Sequence, residues 1–150
     1  MSGSSPRPDP VPSSRYSEEI VVRFAGPDYR DFVDSEGRNL RPRLARSLDL
    51  ADLRPGHRML DLGCGRGEVS AHAAARGARV IAMDYSPDCV QLTRDATRLL
   101  ESTRNVELET RNSKLDVVLA DATSLPFPSD VFDRVTMLDV VEHLDRKSVV

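Results

Sequence analysis

The sequence lacks the features that nucleic-acid-binding and membrane-spanning proteins need. Its 21 lysine and arginine residues are fewer than its 24 acidic residues, so there is no basic excess from which to build a face that binds nucleic acid. Its apolar runs are only as long as β-strands, and its first residues do not form the apolar core of a signal peptide. These absences predict a soluble cytoplasmic protein with no evident nucleic-acid partner and no membrane span.

Cysteine is also scarce. The sequence has two cysteines, Cys64 and Cys89, and no CxxC spacing, so neither a zinc site nor a disulfide framework is expected. A helix N-terminus can lower the pKa of a thiol. For Cys64 we nevertheless favour the role of a small residue that fills a turn, and we assign its thiol no chemistry.

Aromatic residues are few, and four of the seven lie between residues 16 and 32. Residues 1–14, rich in proline and serine, are predicted to be a disordered tail. Residues 15–56 are predicted to be an N-terminal helical segment, either a lid or helices packed on the domain that follows. Within it, Asn39 is expected to cap a helix that has Pro42 in its first turn.

From residue 57 onward, strand-like and helix-like patterns alternate. Four apolar runs are predicted to be strands: residues 59–62, 79–84, 114–120 and 132–138. Ser86 and Pro87 have the chemistry of a helix start, and Gly77 that of a helix end. This alternation predicts an α/β fold with a parallel sheet and helices on both faces. Residues 101–114 fit an edge strand and a continued helix equally well, and a further helix is expected to begin at Asp139.

The stretch MLDLGCGRGEVS, residues 59–70, is the most informative part of the sequence. An apolar strand containing Asp61 leads into glycines at 63, 65 and 67, and then into a helix. Glycine permits a tight turn and close approach of a ligand, and a helix N-terminus attracts anionic groups. A nucleotide-like ligand is therefore expected. The dinucleotide motif G-x-G-x-x-G would need glycine at the position of Glu68, so a nicotinamide-dependent oxidoreductase is the weaker alternative.

The spacing D-x-G-x-G-x-G instead resembles the first motif of class I S-adenosylmethionine-dependent methyltransferases, of the type 11/12-like small-molecule group. The resemblance covers residues 39–145 and rests on four motifs in the same order. It implies a Rossmann-like sheet with strand order 3-2-1-4-5-7-6, of which this sequence supplies the first four strands. Residues 57–150 are thus expected to be the cofactor-binding Rossmann-like domain, incomplete at its C-terminus, and the chain to be truncated or partial.

The resemblance also implies which residues bind S-adenosyl-L-methionine and its product S-adenosyl-L-homocysteine. The glycine turn, with Asp61, would hold the methionine part. Asp84, at the end of the second strand, would take the two ribose hydroxyls, and a carboxylate does offer two coplanar acceptors for a vicinal diol. Tyr85, Asp121 and Ala122 would contact the adenine, and Leu138 and Asp139 would lie beside the methionine moiety. With these residues, the full set of predicted cofactor contacts also contains Asp61, Gly63, Cys64, Gly65 and Asp84.

Asp139, Glu142 and His143 form a D-x-x-E-H pattern that resembles the E-x-x-E-H of metal-assisted methyltransferases. Aspartate stands at the first position and no histidine follows later, so no metal is predicted. His143 is the candidate catalytic residue, as a general base, while the pattern itself favours a structural or positioning role for it.

These features predict in-line methyl transfer to an oxygen, nitrogen or carbon atom of a small-molecule acceptor. A non-catalytic cofactor-binding module, or a partial chain that needs a partner, is the alternative. Because strand four would have a free apolar edge, a homodimer or a complementing chain is expected there.

Overall fold

Four parallel strands form the centre of the fold. The computed structural model describes residues 12–13, 17–103, 114–141 and 144. The strands are β1 (Arg58–Leu62), β2 (Arg79–Asp84), β3 (Lys114–Leu119) and β4 (Arg134–Thr136), and the helices are α1 (Glu18–Ala25), α2 (Pro27–Asp34), α3 (Pro42–Leu50), α4 (Glu68–Ala75) and α5 (Pro87–Thr103). The sheet order is β3-β2-β1-β4, which confirms the predicted order of the first four strands.

The strand bounds agree with the sequence except at β4, which has three residues where seven were predicted. β4 lies beside β1, with Met59 opposite Arg134 and Asp61 opposite Thr136. Pairing therefore stops where β1 runs into the glycine turn. Among the described residues, β4 has a strand partner on this side only.

The described helices pack on one face of the sheet. Leu44 and Leu48 of α3 share a buried cluster with Met59 of β1 and Val80 of β2, to which α4 also contributes. A second cluster joins α2, α4 and α5 through residues Tyr29, Phe32, Ala71, Ala96 and Leu100. The helical character predicted for residues 15–56 is present here as three short helices.

The segment between β3 and β4 covers part of the other face of the sheet. Side chains alternate along a strand, so Leu60 and Met83 point away from the helices, and they pack with Phe127 and Phe132 from the segment between β3 and β4. Pro126 and Pro128 in this segment disfavour a helix. The predicted α/β fold with a parallel sheet and helices is confirmed, and the helices of the described part of the chain lie on one face.

Two local predictions are corrected. The N-cap of α3 is Arg41, not Asn39, whose side-chain amide donates to Asp31 at 3.1 Å. Asp139 begins no helix, because its φ is +56°. Pro42 in the first turn of α3 and the helix start at Pro87 are as predicted.

Several predictions fall wholly or mostly outside the described residues. They concern the tail apart from residues 12 and 13, the segment 104–113, and Glu142 and His143. α5 does extend to Thr103, so the first residues of the unassigned segment 101–114 are helical. None of the described helices combines the length and apolar character needed to cross a membrane.

Candidate functional site

The glycine turn is fastened to the end of β2. The amides of Gly63 and Cys64 both donate to the carbonyl oxygen of Met83, at 2.7 and 3.0 Å, and the amide of Gly67 donates back to Cys64 at 2.9 Å. These bonds place the turn at the carboxyl ends of the central strands. Ligands of open parallel sheets bind at such ends.

The three glycines of the turn have different surroundings. A Cβ atom on Gly63 would lie 2.3 Å from Cγ2 of Val140, and one on Gly67 would lie 2.5 Å from Cα of Thr93. A Cβ atom on Gly65 would meet nothing within 4 Å, and its φ is +54°. Packing within the chain therefore requires glycine at 63 and 67, whereas Gly65 turns its backbone towards open space, where a ligand can approach.

Asp84 ends β2 directly beside Gly65. Its Oδ2 accepts a hydrogen bond from the Gly65 amide at 3.0 Å, and its Oδ1 accepts one from the Ser86 amide at 2.9 Å. Burial raises the pKa of this carboxyl, while the bonds from Ser86, Gly65 and Tyr85 oppose that rise. A carboxylate has about four lone-pair sites, so these three bonds leave one site for a ligand hydroxyl.

Asp61 is buried on the helix side of the turn, with 3% of its surface exposed. Ser70 of α4 donates to its Oδ2 at 2.5 Å, and Thr136 of β4 donates to its Oδ1 at 2.8 Å. Burial raises the pKa of Asp61, the two hydroxyls lower it, and the charge of Asp84 raises it further. Asp61 therefore joins β1, α4 and β4, and its contact with a cofactor stays a prediction.

Both thiols lie buried on this side of the sheet. Burial, together with the nearby charge of Asp61, raises the pKa of Cys64 well above its ordinary value. Burial is also the main reason why the pKa of Cys89 is raised to about 12. These shifts favour the protonated thiols, and the assignment of no chemistry to Cys64 stays a prediction.

The predicted adenine-side residues lie along the edge formed by β2 and β3. Tyr85 is 36% exposed just after Asp84. The amide of Ala120 donates to the carbonyl of Asp84 at 2.9 Å, which holds the following loop beside β2. In that loop, Oδ1 of Asp121 accepts from both the amide and the hydroxyl of Thr123 at 2.8 Å, and Ala122 is partly buried against the loop-covered face.

The two predicted site residues after β4 point in different directions, Leu138 inward and Asp139 outward. Leu138 packs against the cluster that contains Leu44 and Leu48. Asp139 is exposed and receives two hydrogen bonds from the Arg43 guanidinium, one of them 2.9 Å long. These bonds hold the pKa of Asp139 below its ordinary value.

The N-terminal segment contacts the turn through residues that the sequence did not indicate. The Arg66 guanidinium lies 5.4 Å from the centre of the Tyr29 ring and donates to Glu68 at 2.9 Å. Glu68 is 3% exposed and also faces Arg41, at 3.7 Å. The sequence offered no signal for the contacts of Arg41 with Glu68, of Arg43 with Asp139 or of Arg66 with Tyr29, because these partners are distant in the chain.

The described residues suit a ligand with a diol and a small charged end. They combine a carboxylate at a strand end with an open backbone at Gly65 and a buried acid below the turn. Across the described ranges, no group of three histidine, cysteine or acidic side chains is placed to hold a metal ion.

Comparison with known proteins gives one family and several relatives. A family model described as "Methyltransferase domain" matches residues 60–150. The chain is 43% identical over 82 residues to a demethylmenaquinone methyltransferase of Clavibacter sepedonicus, covering 55% of this chain and 29% of that protein. It is 36% identical over 97 residues to a ubiquinone biosynthesis O-methyltransferase of Xanthomonas oryzae pv. oryzae, covering 65% and 35%.

A solved structure shares the fold. The magnesium protoporphyrin IX methyltransferase of Synechocystis PCC 6803, crystallised with bound SAM, superposes with a TM-score of 0.60 at 20% identity, covering 88% of this chain and 62% of that one. At this identity the match concerns the fold alone. The chain spans less than half the length of the two curated relatives named above.

Proposed function

The chain belongs to the methyltransferase domain family, and from this premise we propose that it binds S-adenosyl-L-methionine and methylates a small molecule. The observation that carries the proposal is the pairing of Gly65 with Asp84. Gly65 presents an open backbone, and its amide is bonded to a carboxylate that can accept a further hydrogen bond. A nucleoside with a free vicinal diol suits this arrangement.

Each predicted residue then has a proposed role. Asp84 takes the ribose hydroxyls and Tyr85 lies against the adenine, with Asp121 and Ala122 near its amino group. Gly63, Cys64 and Gly65 hold the methionine part through the backbone of the turn, and Asp61 holds it through its carboxylate. Leu138 and Asp139 line the side that opens towards the acceptor.

When bound, S-adenosyl-L-methionine supplies a methyl group on a sulfonium centre for in-line transfer and leaves as S-adenosyl-L-homocysteine. The protein therefore needs mainly to align the acceptor and exclude water. The contacts of Arg66 with Tyr29 and of Glu68 with Arg41 favour an N-terminal segment that closes on the turn. Where the acceptor loses a proton, we propose His143 as the base.

The acceptor is proposed from chemistry and from the relatives. Two relatives have names that refer to demethylmenaquinone and to ubiquinone biosynthesis, so demethylated quinone precursors are the first acceptors to try. The test is formation of S-adenosyl-L-homocysteine by the purified protein with each acceptor. Product that appears only when an acceptor is present supports catalysis. Cofactor binding without product for every acceptor would favour the alternative, a non-catalytic module.

The edge of β4 is the basis of a separate proposal about a partner chain. Val135 of β4 is 56% exposed, on a strand that the described residues pair on one side only. We propose that a second copy, or a complementing chain, pairs there. Molar mass from light scattering tests this proposal, because a monomer at working concentration would contradict the homodimer.

The role of His143 has its own test. The variant His143→Ala should lose turnover while S-adenosyl-L-homocysteine binds as before, because a base acts on the acceptor and not on the cofactor. Equal turnover by His143→Ala and the parent protein would leave His143 with a structural role only.

A further inference from the structure

Thr93 of α5 contacts the glycine turn from within the protein interior. Its side chain is fully buried. Its hydroxyl oxygen lies 3.3 Å from the carbonyl oxygen of Gly65 and 3.1 Å from the sulfur of Cys64. A Cβ atom on Gly67 would lie 2.5 Å from Cα of Thr93, so the Thr93 backbone packs closely against Gly67. Thr93 thus lies against three residues of the turn, Cys64, Gly65 and Gly67.

The proton count of these contacts is consistent. A threonine hydroxyl has one proton to donate and two lone pairs with which to accept, whereas a carbonyl oxygen can only accept. Both contacts are hydrogen bonds when Cys64 donates its thiol proton to the hydroxyl and the hydroxyl donates to the carbonyl of Gly65. A buried, protonated Cys64 thiol is available for this.

Gly65 is therefore held on both sides of its Cα atom. Its amide is bonded to Asp84 at 3.0 Å, and its carbonyl contacts Thr93 at 3.3 Å. Glycine loses more conformational entropy than other residues when it is fixed. Fixing it before a ligand arrives removes that cost from binding.

We propose that Thr93 is a positioning residue that holds Gly65 in the conformation that accepts the cofactor. The inference rests on the proposed function, because it concerns the affinity of the same site. In this proposal the buried Thr93 side chain of α5 affects cofactor affinity only through its contacts with the turn. Thr97, one helical turn further on, provides the contrast, since its hydroxyl bonds to the Thr93 carbonyl within α5 at 2.8 Å.

The test compares variants that differ in the hydroxyl. Thr93→Val keeps the volume and removes the hydroxyl, and Thr97→Val does the same one turn away. Calorimetric titration with S-adenosyl-L-homocysteine should show affinity reduced about 3- to 10-fold in Thr93→Val and unchanged in Thr97→Val. The range is modest because 3.3 Å is long for a bond donated by a hydroxyl.

A second pair of variants covers the case in which valine disturbs folding. Thr93→Ser and Thr93→Ala both lack the methyl group, and only serine retains the hydroxyl. Tighter binding by Thr93→Ser than by Thr93→Ala, by the same 3- to 10-fold, supports the positioning role. Equal affinity of the two overturns it and leaves Thr93 as a packing residue.

Amide hydrogen exchange in the free protein separates this inference from the proposed function. The Gly65 amide should exchange faster in Thr93→Ala than in Thr93→Ser, because its peptide is less constrained. Absence of S-adenosyl-L-homocysteine binding by the parent protein would contradict the proposed function. The exchange comparison needs no ligand, so it would still test the effect of Thr93 on the turn. Equal exchange rates would contradict that effect.

Discussion

The amide of Gly65 donates a 3.0 Å hydrogen bond to Oδ2 of Asp84, which lies 19 residues later in the chain. This bond joins the two parts of the site that the sequence predicted separately, the glycine turn and the acid at the end of β2. Asp84 thus has two tasks, since it shapes the turn and, as we propose, also takes the ribose hydroxyls. The two tasks make it the most sensitive residue of the site.

Replacement of Asp84 should reduce cofactor affinity in steps. Asp84→Ala removes both acceptors and should cost about 100-fold or more in affinity for S-adenosyl-L-homocysteine, whereas Asp84→Asn keeps one acceptor and should cost about 10-fold. The measurement is a calorimetric titration. Asp95→Asn, an exposed acid on α5, is the control and should bind normally. Unchanged affinity of Asp84→Ala would remove Asp84 from the site.

Asp61 should make the stability of the fold depend on pH. Its pKa is raised above 3.8 in the folded state. A carboxyl of this kind contributes stability below its unfolded pKa, and that contribution is lost as the pH rises through the folded pKa. The slope of unfolding free energy against pH should therefore become less negative just above pH 3.8 in Asp61→Asn. Urea unfolding from pH 3.5 to 7 measures it, and identical slopes would mean that Asp61 titrates normally.

At position 139, glycine should give a more stable protein than alanine. The Asp139 φ of +56° lies in the left-handed region, where an L-residue is strained. Asp139→Gly and Asp139→Ala both remove the ion pair with Arg43, so the ion pair cancels in their comparison. Urea unfolding should find Asp139→Gly more stable by about 1 kcal/mol. Equal stability would show that this backbone relaxes to a negative φ.

Alanine at two glycines of the turn should have different effects. Gly65 and Gly67 both have a positive φ, but only at Gly67 would the new Cβ atom collide with another backbone. Gly67→Ala should cost about 3 kcal/mol or more of stability, against about 1–2 kcal/mol for Gly65→Ala. Gly65→Ala should stay folded and bind the cofactor more weakly, because its Cβ enters the open space. Thermal unfolding and titration together check this, and the reverse order of stabilities would contradict it.

The sequence predicted the parts of the site that are encoded locally. The alternation of apolar strands and helix starts predicted the parallel α/β sheet, the resemblance to class I methyltransferases implied its strand order, and the spacing of three glycines after Asp61 located the turn. Asp84 followed from the same logic, because the carboxyl ends of parallel strands meet at one edge.

The remaining features depend on contacts between distant residues, which have no local pattern. Thr93 contacts Gly65 from 28 positions away, and Arg43 reaches Asp139 from 96 positions away. Asn39 looked like a helix cap but bonds instead to Asp31 of the preceding helix. The fourth strand is short because its length depends on β1, beside which it lies, and its own apolar run does not reveal that limit.

The central claim is that Gly65 and Asp84 form a site for S-adenosyl-L-methionine and not for a dinucleotide. The most direct measurement is a calorimetric titration of the parent protein with S-adenosyl-L-homocysteine and, separately, with NAD. The account predicts saturable one-to-one binding of S-adenosyl-L-homocysteine and no heat of binding with NAD. Binding of NAD alone, or of neither compound, would contradict it.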